Sequence, residues 1–207
     1  MEIDDVGYED ALARKLIERR VQIRNRDSKE AMSMNIRIAD QPDYSEVMSF
    51  YDTMCQELGK RPFLHAGNQG GYPSEDMVRA AIYESGLIIG VEQGKIIAAI
   101  ILNHDADPTY DNVKWQIETR PDQVTIMHAL RVSPEFSGRG YGKRMVEYCI
   151  ARATNAGQKA IRLDTLDENT IAQKLYLSMG FSFIDTVEIK YKDIGEPRTL
   201  YCYELVL

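Results

Sequence analysis

The stretch VTIMHALRVSPEFSGRGYGKRMVE, residues Val124–Glu147, decides the fold. Its first nine residues, through Val132, are mostly apolar and long enough for a buried strand. Ser133-Pro134 ends that strand, because proline cannot donate to a sheet ladder. Glycines then alternate with larger residues at Gly138, Gly140 and Gly142, and an amphipathic helix follows. Glycines allow close approach of the backbone, and the free N–H groups of a helix N-terminus face an anion, so this order predicts a phosphate-binding turn.

The spacing of the glycines excludes two common phosphate-binding motifs. A Walker A loop needs four residues between its glycines and then Lys followed by Ser or Thr. Here three residues separate Gly138 from Gly142, and Arg144 follows Lys143. A dinucleotide fingerprint needs G-x-G-x-x-G directly after the strand, whereas this chain has G-x-G-x-G after an intervening Pro134–Ser137 segment.

A third pattern fits the turn better. It resembles the acetyl-CoA-binding motif of the GNAT N-acetyltransferase family, (Gln/Arg)-x-x-Gly-x-(Gly/Ala), after a strand that ends in Val-x-Pro. Gly140 and Gly142 match, while Ser137 stands at the first position in place of Gln or Arg. Since the family binds pyrophosphate mainly through backbone N–H groups, the resemblance implies that binding survives this departure.

A second signature follows the first in the order that the family shows. Its form is Asn-x-x-Ala-x-x-x-Tyr-x-x-x-Gly-Phe, and the matching residues are Asn169, Ala172, Tyr176, Gly180 and Phe181. Helical spacing explains part of this pattern without the family, because a helical tyrosine is commonly a core residue with a satisfied hydroxyl. Two signatures in register are far more specific than either one, and the resemblance covers roughly residues 34–207.

Hydrophobic periodicity predicts the same architecture along the chain. Strand, two helices and a two-stranded hairpin come first, then strand–helix–strand–helix and a C-terminal hairpin around Asp193–Glu196. The strand that starts at Ala160 is entered from a helix and is expected to lie parallel to the strand before it. The resemblance implies an α/β (α+β) GNAT fold: a mixed, mostly antiparallel sheet of about seven strands, splayed between strands 4 and 5 and flanked by about four helices.

The family also implies roles for particular residues. The pantetheine arm of acetyl-CoA would pair with the backbone of Leu130, Arg131 and Val132, and Asn169 would contact the same cosubstrate. The pyrophosphate would lie on a loop of six residues: Gly138, Arg139, Gly140, Tyr141, Gly142 and Lys143.

For the chemistry, the resemblance implies Tyr176 as the proton donor to the leaving thiolate, either as a general acid or as a hydrogen-bond partner of the sulfur. His128 lies in a segment close to His-Ala-Leu-Ala-Val of the arylalkylamine N-acetyltransferases and would help deprotonate the amine, directly or through water. A structural histidine in a sheet is the alternative. Glu92 is a lesser candidate base, and His65 and His104 lie outside the motifs.

Composition narrows the class of protein. The 207 residues carry a net charge of −7, which argues against a nucleic-acid-binding surface. Three widely spaced cysteines suggest neither a disulfide framework nor a metal site. No transmembrane segment or secretory signal is apparent, so a cytoplasmic protein is expected.

Other parts of the chain remain open at this point. Residues 1–33 predict a helical N-terminal extension to a domain of residues 34–207; it is either a surface helix or one that packs on a second subunit of a homodimer. The acceptor side would come from the Lys60–Pro73 and His104–Asp122 loops, and Tyr110 and Trp115 could line a pocket or pin their loop equally well.

The expected activity is acetyl transfer from acetyl-CoA to a primary amine of a small molecule. A peptide or protein acceptor, a non-catalytic acyl-CoA sensor and a scaffold domain are the alternatives.

Overall fold

A computed structural model of the chain describes residues 34–58, 60, 72–190 and 197–207. The predicted N-terminal extension, most of the Lys60–Pro73 loop with His65, and the turn of the C-terminal hairpin lie outside these residues.

Seven strands and four α-helices make up the described part of the chain. They are β1 (Asn35–Ile38), α1 (Tyr44–Leu58), α2 (Glu75–Tyr83), β2 (Leu87–Glu92), β3 (Lys95–Asn103), β4 (Val124–Val132), α3 (Tyr141–Asn155), β5 (Ala160–Leu166), α4 (Thr170–Ser178), β6 (Ser182–Ile189) and β7 (Arg198–Val206). The strands form one sheet in the order β1-β2-β3-β4-β5-β7-β6. All neighbours are antiparallel except β4 and β5, which are parallel. The predicted fold class and the parallel pair are therefore confirmed.

Local signals start the helices where the sequence predicts. The Ser74 side chain accepts a hydrogen bond from the Met77 N–H and caps α2, and Asn169 caps α4 in the same way through the Ala172 N–H. Gly140 precedes α3 with φ of 77°, a left-handed conformation that favours glycine. The chain can therefore turn sharply from the end of β4 into α3.

Helices cover both faces of the sheet. One core layer lies under α3 and α4 and includes Ile100, Met145 and Tyr176. The other lies under α1 and α2 and includes Tyr51 and Ile101. Burial on both faces explains why the central strand β3 reads as a continuous apolar run rather than as an alternating one.

The sheet opens between β4 and β5. These strands pair only at three positions, from Val124 opposite Ala160 to Ile126 opposite Arg162, whereas β5 pairs with β7 along its whole length. On its other edge, β4 carries a bulge: Arg131 lies opposite Ala99 and His128 opposite Ile101, so one extra residue is inserted in β4. Ala129 within the bulge has φ of 51°. The bulge turns β4 where its pairing with β5 has stopped, and the splay predicted between strands 4 and 5 is present.

Candidate active site

The opening beside β4 leaves a strand edge available to a ligand. Beyond Ile126, no described strand pairs with β4 on the side of β5. The Tyr51 hydroxyl on α1 donates to the Ala129 carbonyl over 3.2 Å and ties the bulge to the helix layer. Leu130, Arg131 and Val132 are half-buried along this stretch. The opening therefore places the strand residues predicted to hold pantetheine at an accessible edge inside the molecule.

The glycine-rich loop, Ser137–Lys143, lies at the end of this edge and leads into α3. Gly138 and Gly140 both have positive φ, and a Cβ at either position would meet nothing within 4 Å. These two glycines are therefore required for backbone conformation rather than for packing. A Cβ at Gly142 would lie 3.4 Å from Leu175 of α4, an ordinary van der Waals contact.

Glu92, the last residue of β2, contacts the glycine-rich loop and lies far from His128 along the sheet. Its side chain is buried, accepts a hydrogen bond from the Tyr141 hydroxyl and pairs with Arg139 over 3.4 Å. The bond to Glu92, more than burial, raises the pKa of Tyr141. Along the β3 ladder Glu92 lies opposite Lys95, while His128 lies opposite Ile101, so about 20 Å of strand separates them. The structure thus does not bring Glu92 to the place where a base was predicted.

Tyr176 points from α4 into the core beside the opening. It is buried, and its ring packs against Phe181 and Tyr203 with centroids 5.7 and 6.2 Å away. Burial raises its pKa well above the ordinary value, and the charges of Arg131 and Asp164 act on it in opposite directions. The phenol therefore keeps its proton at every physiological pH and can serve as a hydrogen-bond donor.

His128 lies on the α1 and α2 side of β4, two residues beyond the last pair with β5. Its Nε2 is 2.8 Å from Asn103 Oδ1 at the end of β3. Burial lowers its pKa to about 4, although the backbone and the charge of Asp105 act in the other direction. The imidazole is therefore neutral at pH 7.

Asn169 has structural partners of its own. Besides capping α4, its amide donates to Thr165 Oγ1 on β5 over 3.2 Å. The residue fastens the start of α4 to the far wall of the opening, which fixes the helix that carries Tyr176.

The sequence analysis missed two charged residues at the opening. Asp164 on β5 accepts a hydrogen bond from the Tyr110 hydroxyl over 2.9 Å, and the charge of the half-buried Arg131 side chain offsets part of the rise in pKa that burial causes at Tyr51 and Tyr176. Arg131 was predicted only as a backbone contact. No motif marks either side chain, and alternation along β5, which puts Asp164 on the opposite face from buried Ile161 and Leu163, was the one available signal.

The β3–β4 connection, residues 104–123, is pinned to the sheet. Glu204 on β7 is fully buried, pairs with Arg162 over 2.8 Å and accepts a hydrogen bond from the Gln116 N–H. The Arg162 guanidinium lies 4.3 Å from the ring centroid of Trp115, whose Nε1 donates to the Tyr110 carbonyl. The two aromatic residues therefore pin the connection, and through its hydroxyl Tyr110 also orients Asp164.

His104 lies in this connection, with its Nδ1 2.7 Å from the Val124 carbonyl. Across the described ranges, no group of three or more His, Cys, Asp or Glu side chains could hold a metal ion. Within the same ranges, no helix is long and apolar enough to cross a membrane.

Comparison with known families matches residues 52–181 to the model of the Acetyltransferase (GNAT) family. The matched span contains both signatures, the opening and Tyr176. The chain belongs to this family.

Individual GNAT relatives match only part of the chain. Over 67 residues the chain is 37% identical to a [ribosomal protein bS18]-alanine N-acetyltransferase of Haemophilus ducreyi, which is 32% of this chain and 46% of that protein. Over 64 residues it is 33% identical to an aminoglycoside N(6')-acetyltransferase type 1 of Salmonella typhimurium, which is 31% of this chain and 44% of that protein. The chain thus spans about half the length of the curated relatives that it matches.

Solved GNAT structures share the fold over most of the chain. A GNAT-family acetyltransferase from Streptococcus agalactiae superimposes with a TM-score of 0.68 at 19% identity. The match covers 84% of this chain and 95% of that chain. A putative acetyltransferase from Salmonella typhimurium, solved with its cofactor acetyl-CoA, gives a TM-score of 0.62 at 18% identity, covering 84% and 94%. At these identities the likeness establishes the fold alone.

Proposed function

We propose that the protein is an acetyl-CoA-dependent N-acetyltransferase that transfers the acetyl group directly to a primary amine of a small molecule. The observation that carries this proposal is the opening between β4 and β5, with the glycine-rich loop at one end and the Tyr176 hydroxyl beside it.

The residues around the opening fit acetyl-CoA. The edge of Leu130–Val132 can pair with the amides of pantetheine as a neighbouring strand would. The N-terminus of α3 and the left-handed glycines Gly138 and Gly140 suit a pyrophosphate, because N–H groups and the helix dipole favour an anion there. Arg139 and Lys143 are exposed on the same loop and add positive charge.

Acetyl transfer requires the amine to lose a proton and the leaving thiolate to be stabilised or protonated. A nitrogen–carbon bond forms between the amine and the acetyl carbonyl as the carbon–sulfur bond of the thioester breaks, and the thiolate leaves. The attacking amine first loses a proton, because an ammonium ion has no lone pair. The thiolate needs a proton or a hydrogen bond as it departs.

Tyr176 and His128 meet these two needs. Because burial raises the pKa of Tyr176 above that of an ordinary phenol, its hydroxyl stabilises the thiolate by donating a hydrogen bond rather than by full proton transfer. His128 is neutral at pH 7 and can accept the proton of the amine. Its pKa of about 4 makes it a weak base that passes the proton on to water.

Thiol release from acetyl-CoA across a panel of primary amines tests the proposal. Tyr176→Phe should lower kcat by about 100-fold, the lower end of the range for general acid–base catalysis, because the leaving thiolate loses its hydrogen bond, and it should leave the KM for the amine nearly unchanged. Tyr203→Phe is the matched control, since Tyr203 packs against the same ring, and it should keep most of the activity. A Tyr176→Phe enzyme with wild-type kcat would refute the role of the hydroxyl. Tight binding of acetyl-CoA without thiol release from any amine would indicate a sensor instead.

A peptide N-terminus is the second candidate acceptor. The 37% identity to the ribosomal-protein alanine N-acetyltransferase favours it, although that match covers only a third of this chain. Peptides that begin with alanine, assayed beside the small amines, separate the two acceptors.

A further inference from the structure

Three polar side chains share the α1 and α2 side of the opening. The bulge in β4 brings His128 and Arg131 to the same face of that strand. They lie opposite Ile101 and Ala99, which are two residues apart on β3 and therefore share a face of the sheet. On β5, Asp164 occupies the corresponding face, two residues beyond Arg162 in the last parallel pair. One wall of the opening therefore carries a cation and the other carries a carboxylate.

The Arg131 guanidinium is incompletely bonded within the protein. Its Nη1 donates to the Leu130 carbonyl over 2.9 Å, whereas its Nε is buried and has no hydrogen-bond partner among the residues that the structure describes. Leaving a buried donor of a charged group unpaired is costly, and guanidinium pairs best with planar oxyanions. The position next to Leu130 puts this donor at the strand edge that would hold pantetheine.

Asp164 is held in place rather than mobile. The Tyr110 hydroxyl donates to its Oδ2, and the Tyr110 ring is buried at 5.1 Å from the Trp115 ring in the pinned β3–β4 connection. A carboxylate fixed in this way attracts an ammonium ion and orients it. The charges of Asp164 and Arg131 act in opposite directions on the pKa of Tyr176, so both side chains lie near the opening beside this phenol.

We propose that the acceptor is an amino carboxylate, such as a free amino acid, whose carboxylate pairs with the Arg131 side chain while Asp164 receives its ammonium group before transfer. This inference rests on the proposed function and specifies its acceptor. A zwitterion satisfies both walls at once, whereas a simple amine leaves Arg131 unpaired and a peptide N-terminus lacks a carboxylate next to its amine.

Matched acceptors test the inference on the intact wild-type enzyme. Thiol release is measured with each protein amino acid, its decarboxylated amine, its carboxamide and an alanine-starting peptide. The amino acids that react should show kcat/KM about 10- to 100-fold above their decarboxylated amines and carboxamides, the range for one charge-assisted pair. Equal or better reaction of the decarboxylated amines, or a preference for the peptide, would overturn the inference while leaving N-acetyl transfer intact. Absence of thiol release with every acceptor would instead refute the proposed function.

Variants of Arg131 test whether its side chain causes the preference for amino acids over their decarboxylated amines. Arg131→Met should bring kcat/KM for the amino acid down to that for its decarboxylated amine, and Arg131→Lys should restore part of the difference, because lysine keeps the charge without the planar fork. Arg152→Met is the control, since Arg152 lies in the last turn of α3, where it donates to the Ser85 carbonyl. An Arg131→Met enzyme that loses the same factor with every acceptor, with a raised KM for acetyl-CoA, would show that Arg131 serves the cosubstrate and would contradict the inference.

Discussion

The glycine-rich loop and the β3–β4 connection lie at the same opening but are built differently. The loop depends on backbone: two glycines with positive φ and the start of α3 form it, and Glu92 holds it through Tyr141 and Arg139. The connection depends on side chains that arrive from β5 and β7, chiefly through Arg162 and Glu204. A loop that binds through backbone groups tolerates many different side chains around it. A connection fixed by buried charges depends on a few particular side chains. This contrast is consistent with one family fold accommodating many acceptors.

Glu204→Gln should give the largest effect, because it removes the charge on which the connection depends. Arg162 would keep a buried charge without its partner, and we expect a loss of about 3 kcal/mol in the free energy of unfolding. Chemical denaturation measures it. The pair of Arg198 and Glu168, 3.2 Å apart and with the Glu168 carboxylate exposed, provides the control: Glu168→Gln should cost less than about 1 kcal/mol. Equal costs would abolish the contrast between the two regions.

The pH dependence of stability probes His128, next to the connection. Since burial lowers its pKa to about 4 in the folded protein, the unfolded chain binds the proton first as pH falls below about 6.5. Stability is therefore complete above that pH and declines between about 6.5 and 4, by about 3 kcal/mol in total at 1.4 kcal/mol per unit. His128→Gln should remove this part of the decline in thermal unfolding followed across pH. Parallel curves for the two proteins would show that the histidine titrates normally.

Tyr141→Phe addresses the loop. It removes the hydroxyl that donates to buried Glu92, so stability should fall by about 1.5 kcal/mol and the KM for acetyl-CoA should rise several-fold. The amine KM should change little, because the connection is untouched. Tyr148→Phe, in the same helix, serves as the comparison. A change confined to the amine KM would mean that the loop and the connection are not separate in function.

Gly140→Ala should have the smallest effect on stability. The cost is that of a left-handed alanine, about 1 kcal/mol, since a Cβ meets nothing within 4 Å. Gly94, in the β2–β3 turn, has φ of 75° and equally open surroundings, so Gly94→Ala should cost the same. Only Gly140→Ala should also raise the KM for acetyl-CoA. If both variants leave that KM unchanged, the loop does not bind the cosubstrate through its backbone.

The parts of the molecule that the sequence could predict are those with local causes. The strand at Val124–Val132, its glycine-rich turn and the helix after it follow from periodicity and from the conformations that glycine allows, and the structure confirms the strand and the helix. Tyr176 and Asn169 could be placed because one helical signature carries both. The roles of these site residues stay predictions.

Other features depend on contacts between distant segments. The bulge at Ala129 could not be predicted, because no glycine marks its positive φ. The bulge nevertheless places Arg131 on the same face of β4 as His128. Glu92 lies on a hairpin, and its bonds to Tyr141 and Arg139, 49 and 47 residues later in the chain, are contacts that no motif marks. Asp164 was missed because its importance comes from Tyr110, 54 residues earlier in the chain.

The three-residue pairing of β4 with β5 has a further consequence for the stability of the folded chain. An unpaired strand edge invites another chain to add to the sheet, and here that edge faces the opening between β4 and β5. A slender chain with amides can occupy the gap and complete the interrupted ladder. Its binding should slow amide hydrogen exchange in β4 and β5 and raise the melting temperature. At a ligand concentration 100 times Kd, this linkage amounts to about 2.7 kcal/mol.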